Sequence, residues 1–149
     1  MITLRQTLLV IGIVMIASIA QATPASTPQA LAEAFKVQTA AKNCNGVLAL
    51  FDFTNITPFM RSQIKAMMCS FSVPIVDVKY VASAEDRTLH VQTEGEPEAP
   101  YNLPVVGAIK VTFEGDHAPS ASLPVGQKDG QYLIASKMTA ELEKKYGTP

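Results

Sequence analysis

Val105-Val106-Gly107-Ala108-Ile109-Lys110-Val111-Thr112-Phe113-Glu114, then Ala121-Ser122-Leu123-Pro124-Val125, then Gln131-Tyr132-Leu133-Ile134-Ala135-Ser136, are three mainly apolar runs separated by two turn-rich gaps. The first gap is Gly115-Asp116-His117-Ala118-Pro119-Ser120 and the second is Gln127-Lys128-Asp129-Gly130. An Asp-Gly pair between apolar runs favours a hairpin, because Asp tolerates and Gly prefers the positive φ that a tight turn needs. The three runs therefore read as consecutive antiparallel strands. Along the first, Val105, Gly107, Ile109, Val111 and Phe113 share one face, with Lys110, Thr112 and Glu114 on the other. The stretch is scaffold and carries no chemistry of its own.

Upstream, Ile75-Val76-Asp77-Val78-Lys79-Tyr80-Val81-Ala82 alternates, placing Val76, Val78, Tyr80 and Ala82 on one face and Asp77 and Lys79 on the other. Thr88–Gln92 reads as a short strand. Thr93–Pro104, with Pro97, Pro100 and Pro104, reads as a loop or extended edge, since proline donates nothing to a ladder.

Before these strands the pattern is helical. Thr27-Pro28 and Thr57-Pro58 each pair an N-cap hydroxyl with a proline at the first helical position. The first helix runs to about Lys42, with Leu31, Ala34, Phe35 and Ala41 on one side and Asn43 as its stop. The second carries a stripe of Met60, Ile64, Met67, Met68 and Phe71. Between them, Asn45–Phe53 is an apolar run read as a helical turn or two under the sheet. Met138–Tyr146 reads as a charged C-terminal helix. Helices followed by a mostly antiparallel meander make the fold class α+β, with N-terminal helices packed on a curved sheet.

Residues 1–22 have the order of a secretory signal peptide: Arg5, the apolar run Leu8–Ala20, then Ala20-Gln21-Ala22. The apolar run is about 13 residues, short of the ~20 that span a bilayer. Cleavage after Ala22 leaves a single domain of about 127 residues, 23–149, with a flexible lead-in over 23–27. The expected location is periplasmic or secreted, with no membrane span after cleavage. The remaining charge, roughly 11 basic against 13 acidic groups, argues against nucleic acid or an anionic membrane as the main partner.

Cys44 and Cys69 are the two cysteines. In an exported chain the pair reads as a disulfide closing a loop of about 25 residues, worth roughly 3 kcal/mol. Cys69 falls on the polar side of its helix, where a small buried hydrophobe would not point. The pair lacks the Cys-x-x-Cys spacing of a redox motif.

No nucleophile, metal or phosphate motif stands out. His90 alternates with Leu89 and Val91, and His117 lies in a turn beside Asp116, too sparse a set for a metal site. No cofactor is expected. Asp52 interrupts the apolar run Leu48–Phe53, so its carboxylate must be bonded, paired or exposed. Two readings stand: a polar group at the mouth of a pocket, or an acid that caps the turn Thr54-Asn55-Ile56 or the helix after it.

Leu48-Ala49-Leu50-Phe51-Asp52 leading into Thr57-Pro58-Phe59-Met60-Arg61, then Asn102-Leu103-Pro104-Val105-Val106-Gly107 and Leu123-Pro124-Val125-Gly126-Gln127-Lys128-Asp129-Gly130-Gln131-Tyr132, resemble a group of small exported bacterial proteins to which no activity is attached. The helix-then-sheet order also resembles the cystatin-like roll, in particular the nuclear transport factor 2-like superfamily. That resemblance implies a bent sheet wrapping the N-terminal helices into a cone. It also implies uses as binding module, sheet-face dimer or isomerase-like enzyme. Enzymes of that type use a Tyr and two carboxylic groups inside the cone. Tyr80 is on the apolar face, but Asp77 points away, and no catalytic residue is carried over.

In such a cone, Val105, Ile109, Val111, Phe113, Leu123, Val125 and Leu133 or Ile134 would form the wall against which Met60, Ile64 and Met67 pack. A pocket would lie between the two sets, lined by Asp52, Tyr80, Phe51, Met60, Ile64 and Met67. Three readings follow. The first is a non-catalytic exported domain that binds a small apolar ligand or an envelope protein. The second is an isomerase- or hydrolase-like enzyme using Asp52 and Tyr80. The third is a homodimer that meets through Lys79, Lys110 and Thr112.

Overall fold

The computed structural model describes residues 24–70, 73–82, 101–115 and 120–137. The leader at 1–22, the short strand at 88–92 with His90, Phe71, His117 and the C-terminal helix at 138–146 lie outside the described residues.

Three helices precede four strands: α1 (Pro28–Ala40), α2 (Cys44–Leu48), α3 (Pro58–Cys69), β1 (Ile75–Ala82), β2 (Val105–Phe113), β3 (Ser120–Lys128) and β4 (Gln131–Ile134). The fold is α+β. The strands form an antiparallel meander in the order β1-β2-β3-β4, curled into a half-barrel.

Local chemistry sets most element boundaries. Thr27 Oγ1 accepts from the Ala30 amide at 3.1 Å and Thr57 Oγ1 from the Met60 amide at 3.2 Å, and in both helices proline follows the cap. The stop of α1 differs from expectation. Lys42, at φ 53°, takes the left-handed position, and Asn43 instead caps α2 by accepting from the Gly46 amide at 3.1 Å. Gly46 sits against the Gln38 side chain, which Asn43 Nδ2 also holds at 2.7 Å. A Cβ at Gly46 would meet the Gln38 and Asn43 side-chain amides, which would have to shift. Gln38 joins the end of α1 to the start of α2.

Asp129 at φ 51° and Gly130 at φ 77° make the hairpin between β3 and β4. β3 runs on through Lys128, so the turn is two residues. Pro124 falls inside β3, which has a neighbour on each side. Its carbonyl accepts from the Ala135 amide just beyond β4, so the missing N–H faces the end of that ladder, where it costs little.

β1 departs from simple alternation. Ile75 pairs with Phe113 and Asp77 with Thr112, so Val76 is an extra residue in a bulge. The bulge turns Ile75, Val78 and Tyr80 toward the core and leaves Val76 62% exposed. Val76 and Ala82, expected on the inner face, are both exposed.

The core joins Leu31, Ala32 and Phe35 of α1 to Ile109 and Val111 of β2, Val125 of β3 and Ile134 of β4, with Val47, Ile64 and Met68 from the other helices. α1 is the helix that lies on the sheet, over β1 and β4, whereas α3 packs chiefly against α2. The expected α3 stripe is therefore corrected. Ile64 and Met68 are buried, Met60 is partly covered, and Met67 is 57% exposed. The buried direction lies between Ile64 and Met68, about 80° around the helix from Met67.

The Cys44–Cys69 disulfide ties the first residue of α2 to the last of α3, with Cα atoms 5.1 Å apart. The outer edge of β4 is covered at two points. The Tyr132 amide donates to the Ala25 carbonyl and the Ile134 amide to the Leu50 carbonyl. The lead-in to α1 is thus tied down at Ala25, which is buried. Among the described residues, no helix is long and apolar enough to cross a membrane.

Candidate functional site

Asp52 is placed by the backbone before its side chain acts. Leu50–Asp52 runs parallel to β4, and the Asp52 amide donates to the Ile134 carbonyl at 3.0 Å. The side chain, in a residue only 7% exposed, then meets three partners. Oδ1 accepts from the Thr54 hydroxyl at 2.8 Å and lies 3.2 Å from Lys128 Nζ, and Oδ2 accepts from Asn102 Nδ2 at 3.3 Å. Lys128 Nζ also donates to Thr54 Oγ1 at 2.6 Å, and Asn102 Nδ2 to the Asp52 carbonyl at 2.8 Å. Asn102 carries the connection onward, since Ser136 donates its amide to Asn102 Oδ1 and accepts from the Asn102 amide.

The cluster joins the turn after α2, the segment before β2, the end of β3 and the residues after β4. A carboxylate engaged by an ammonium, a hydroxyl and an amide ties these segments together. Of the two readings of Asp52, the geometry shows the acid bonding the turn at Thr54, with Lys128 added.

The other residues named for the pocket are placed as follows. Phe51 is buried and its ring stacks on Phe53, with centroids 5.8 Å apart and Arg61 above Phe53. Ile64 belongs to the core and Met67 faces outward. Tyr80 lies on β1 at the far side of the four-stranded order from β4, and its hydroxyl donates to the Val106 carbonyl at 3.0 Å. Gly107 makes room for the Tyr80 ring, because a Cβ there would strike it. No hydrogen bond joins Tyr80 to Asp52. On the outer face, Lys79 stands directly opposite Lys110, and Thr112 opposite Asp77.

A cavity does lie elsewhere. Between α1 and the start of β1 is a groove of about 490 Å³. Val73, Pro74, Ile75 and Val78 supply its apolar side, and Lys36 and Lys42 supply its cations. Lys36, Thr39 and Ala40, spaced i, i+3 and i+4, present one face of α1 to it. The Thr39 hydroxyl is turned onto its own helix, donating to the Phe35 and Lys36 carbonyls. Among the described residues Asp77 is the one acid of the lining. A smaller cavity of about 130 Å³ lies beside the disulfide and shares Thr39 and Lys42 with the groove.

Comparison with family models, curated proteins and solved structures finds no match. What the chain can do must be read from its own surfaces. Among the described residues no group of three or more His, Cys, Asp or Glu is arranged to hold a metal. Sequence reasoning missed Lys36, Lys42 and Val73. Lys42 follows α1 in a left-handed conformation and Val73 precedes the bulge at Val76, and neither feature is written in the local pattern.

Proposed function

We propose that this chain is an exported, non-catalytic domain that binds a small apolar ligand. The observation that carries the reading is the groove between α1 and β1. Its volume of about 490 Å³ falls within the roughly 300–1,000 Å³ usual for small-molecule sites, and its lining mixes aliphatic side chains with a few polar groups. Export is supported by the signal-type order of residues 1–22 and by the disulfide, a bond that persists in oxidising compartments. The helices over a curled meander are in keeping with a relative of the nuclear transport factor 2-like or cystatin-like fold. Val37, Val73 and Val76, all exposed, favour a second reading in which an envelope protein covers the groove and its surroundings.

Native mass spectrometry of the oxidised protein against a panel of small apolar and amphiphilic compounds tests the reading, together with methyl NMR of Val73, Val76 and Val78. A bound compound that shifts those methyls supports it. A panel that leaves both the mass and the methyls unchanged overturns it. Cell fractionation, with the mass of the protein starting at Thr23, tests export separately.

A further inference from the structure

We infer that the ligand of the α1–β1 groove carries an anionic head, and that its class is a medium-chain carboxylate held head-first by Lys36 and Lys42. This deepens the binding reading above and rests on it.

The argument starts from what the two lysines lack. Lys36 and Lys42 both line the groove and both are exposed. Neither ammonium has an ion-pair or hydrogen-bond partner among the described residues, whereas Lys128 is paired to Asp52 and Lys110 is also engaged. Lys65 and Lys79 are unpaired among the described residues as well, but Lys36 and Lys42 are the pair that lines the larger groove together with Val73, Pro74, Ile75 and Val78. A lining that joins aliphatic side chains to two ammonium groups unpaired among the described residues is complementary to a chain with one charged end. Burying the chain removes apolar surface from water, while the head keeps its charge in solvent beside two cations.

Among the described residues of the lining Asp77 is the only acid, so there the two lysines outnumber it. A neutral apolar ligand would leave both ammonium groups unused. A cationic amphiphile would meet repulsion from two charges and attraction from one.

The full oxidised chain is titrated with decanoate and with decanol below their aggregation limits, by calorimetry and by the methyl shifts of Val73, Val76 and Val78. Decanoate is expected to bind more tightly than decanol. The K36Q/K42Q double variant should weaken decanoate by about threefold to tenfold, the scale of one or two solvent-exposed ion pairs, and leave decanol unchanged. Asp77→Asn should strengthen decanoate.

Equal affinities for the two probes, or a double variant that keeps full decanoate affinity, overturn the anionic head while leaving the binding reading intact. Failure of both probes to bind, in a protein shown folded by its dispersed methyl spectrum, overturns the two readings together. Binding only to phosphatidylglycerol vesicles, and not to free decanoate, overturns the carboxylate in favour of a lipid surface.

Discussion

Lys128 Nζ lies 3.2 Å from Asp52 Oδ1 and 2.6 Å from Thr54 Oγ1, so the end of β3 is fastened to a turn 76 residues earlier. The lysine is partly exposed and the carboxylate is not, which makes the two ends of this pair unequal. Removing the cation strands a buried anion. Removing the anion frees a lysine to reach water.

Lys128→Met should therefore destabilise the protein by about 1–3 kcal/mol, the cost of leaving a buried group short of a partner. Asp52→Asn keeps one acceptor oxygen for Thr54 but sets an NH2 against the Asn102 Nδ2 donor, so its cost should fall in the same range. Urea unfolding of the two single variants and the double variant gives the coupling, expected at about 0.5–2 kcal/mol. Additive effects would show that the contact contributes nothing measurable.

The disulfide orients α3 against α2. Intact mass after alkylation without reductant should show no free thiol. The Cys44→Ser, Cys69→Ser double variant should lose roughly 3 kcal/mol, as expected for a closed loop of about this length. Two alkylated cysteines in the native protein would contradict the bond.

The face of α3 that is buried can be read by substitution. Ile64→Ala should cost about 2–4 kcal/mol, since Ile64 is 6% exposed. Met67→Gln should stay within about 0.5 kcal/mol, as for other surface positions. Thermal or urea midpoints of the pair decide it. Equal losses would place Met67 back in the core.

At the β3–β4 turn, Gly130 has φ 77° and nothing near the space a Cβ would occupy. Gly130→Ala should cost about 1 kcal/mol through backbone conformation alone. A neutral result in urea unfolding would show that the turn relaxes without loss.

Phe35 is completely buried at the centre of α1, between the sheet and the other helices. Phe35→Ala should cost about 3–5 kcal/mol and broaden the unfolding transition of the whole protein. Retention of the wild-type midpoint would mean that α1 is not the helix that closes the core.

Features whose causes act over a few residues are legible in the chain. Thr27-Pro28 and Thr57-Pro58 start helices because the cap hydroxyl and the proline lie within one turn of what they stabilise. Asp129-Gly130 makes the hairpin because its φ preferences belong to those two residues. Ile109, Val111 and Phe113 share a face because side chains alternate along any strand. The cysteine pairing was legible because there were only two candidates and the leader implied an oxidising compartment.

Tertiary structure alone decided the rest. Alternation through Ile75–Ala82 gave no sign of the bulge at Val76, which exists because β1 must pair with β2 at two registers. The stripe on α3 was wide enough to hold Met67, and packing against α2 chose the Ile64–Met68 side. Nothing local to Asp52 names Lys128, and nothing local to Lys36 says that it will share a groove with Val73. Local preference has a reach of one helical turn or one strand pair. The choice of partner across tens of residues is made by how α1, α3 and the curled sheet pack.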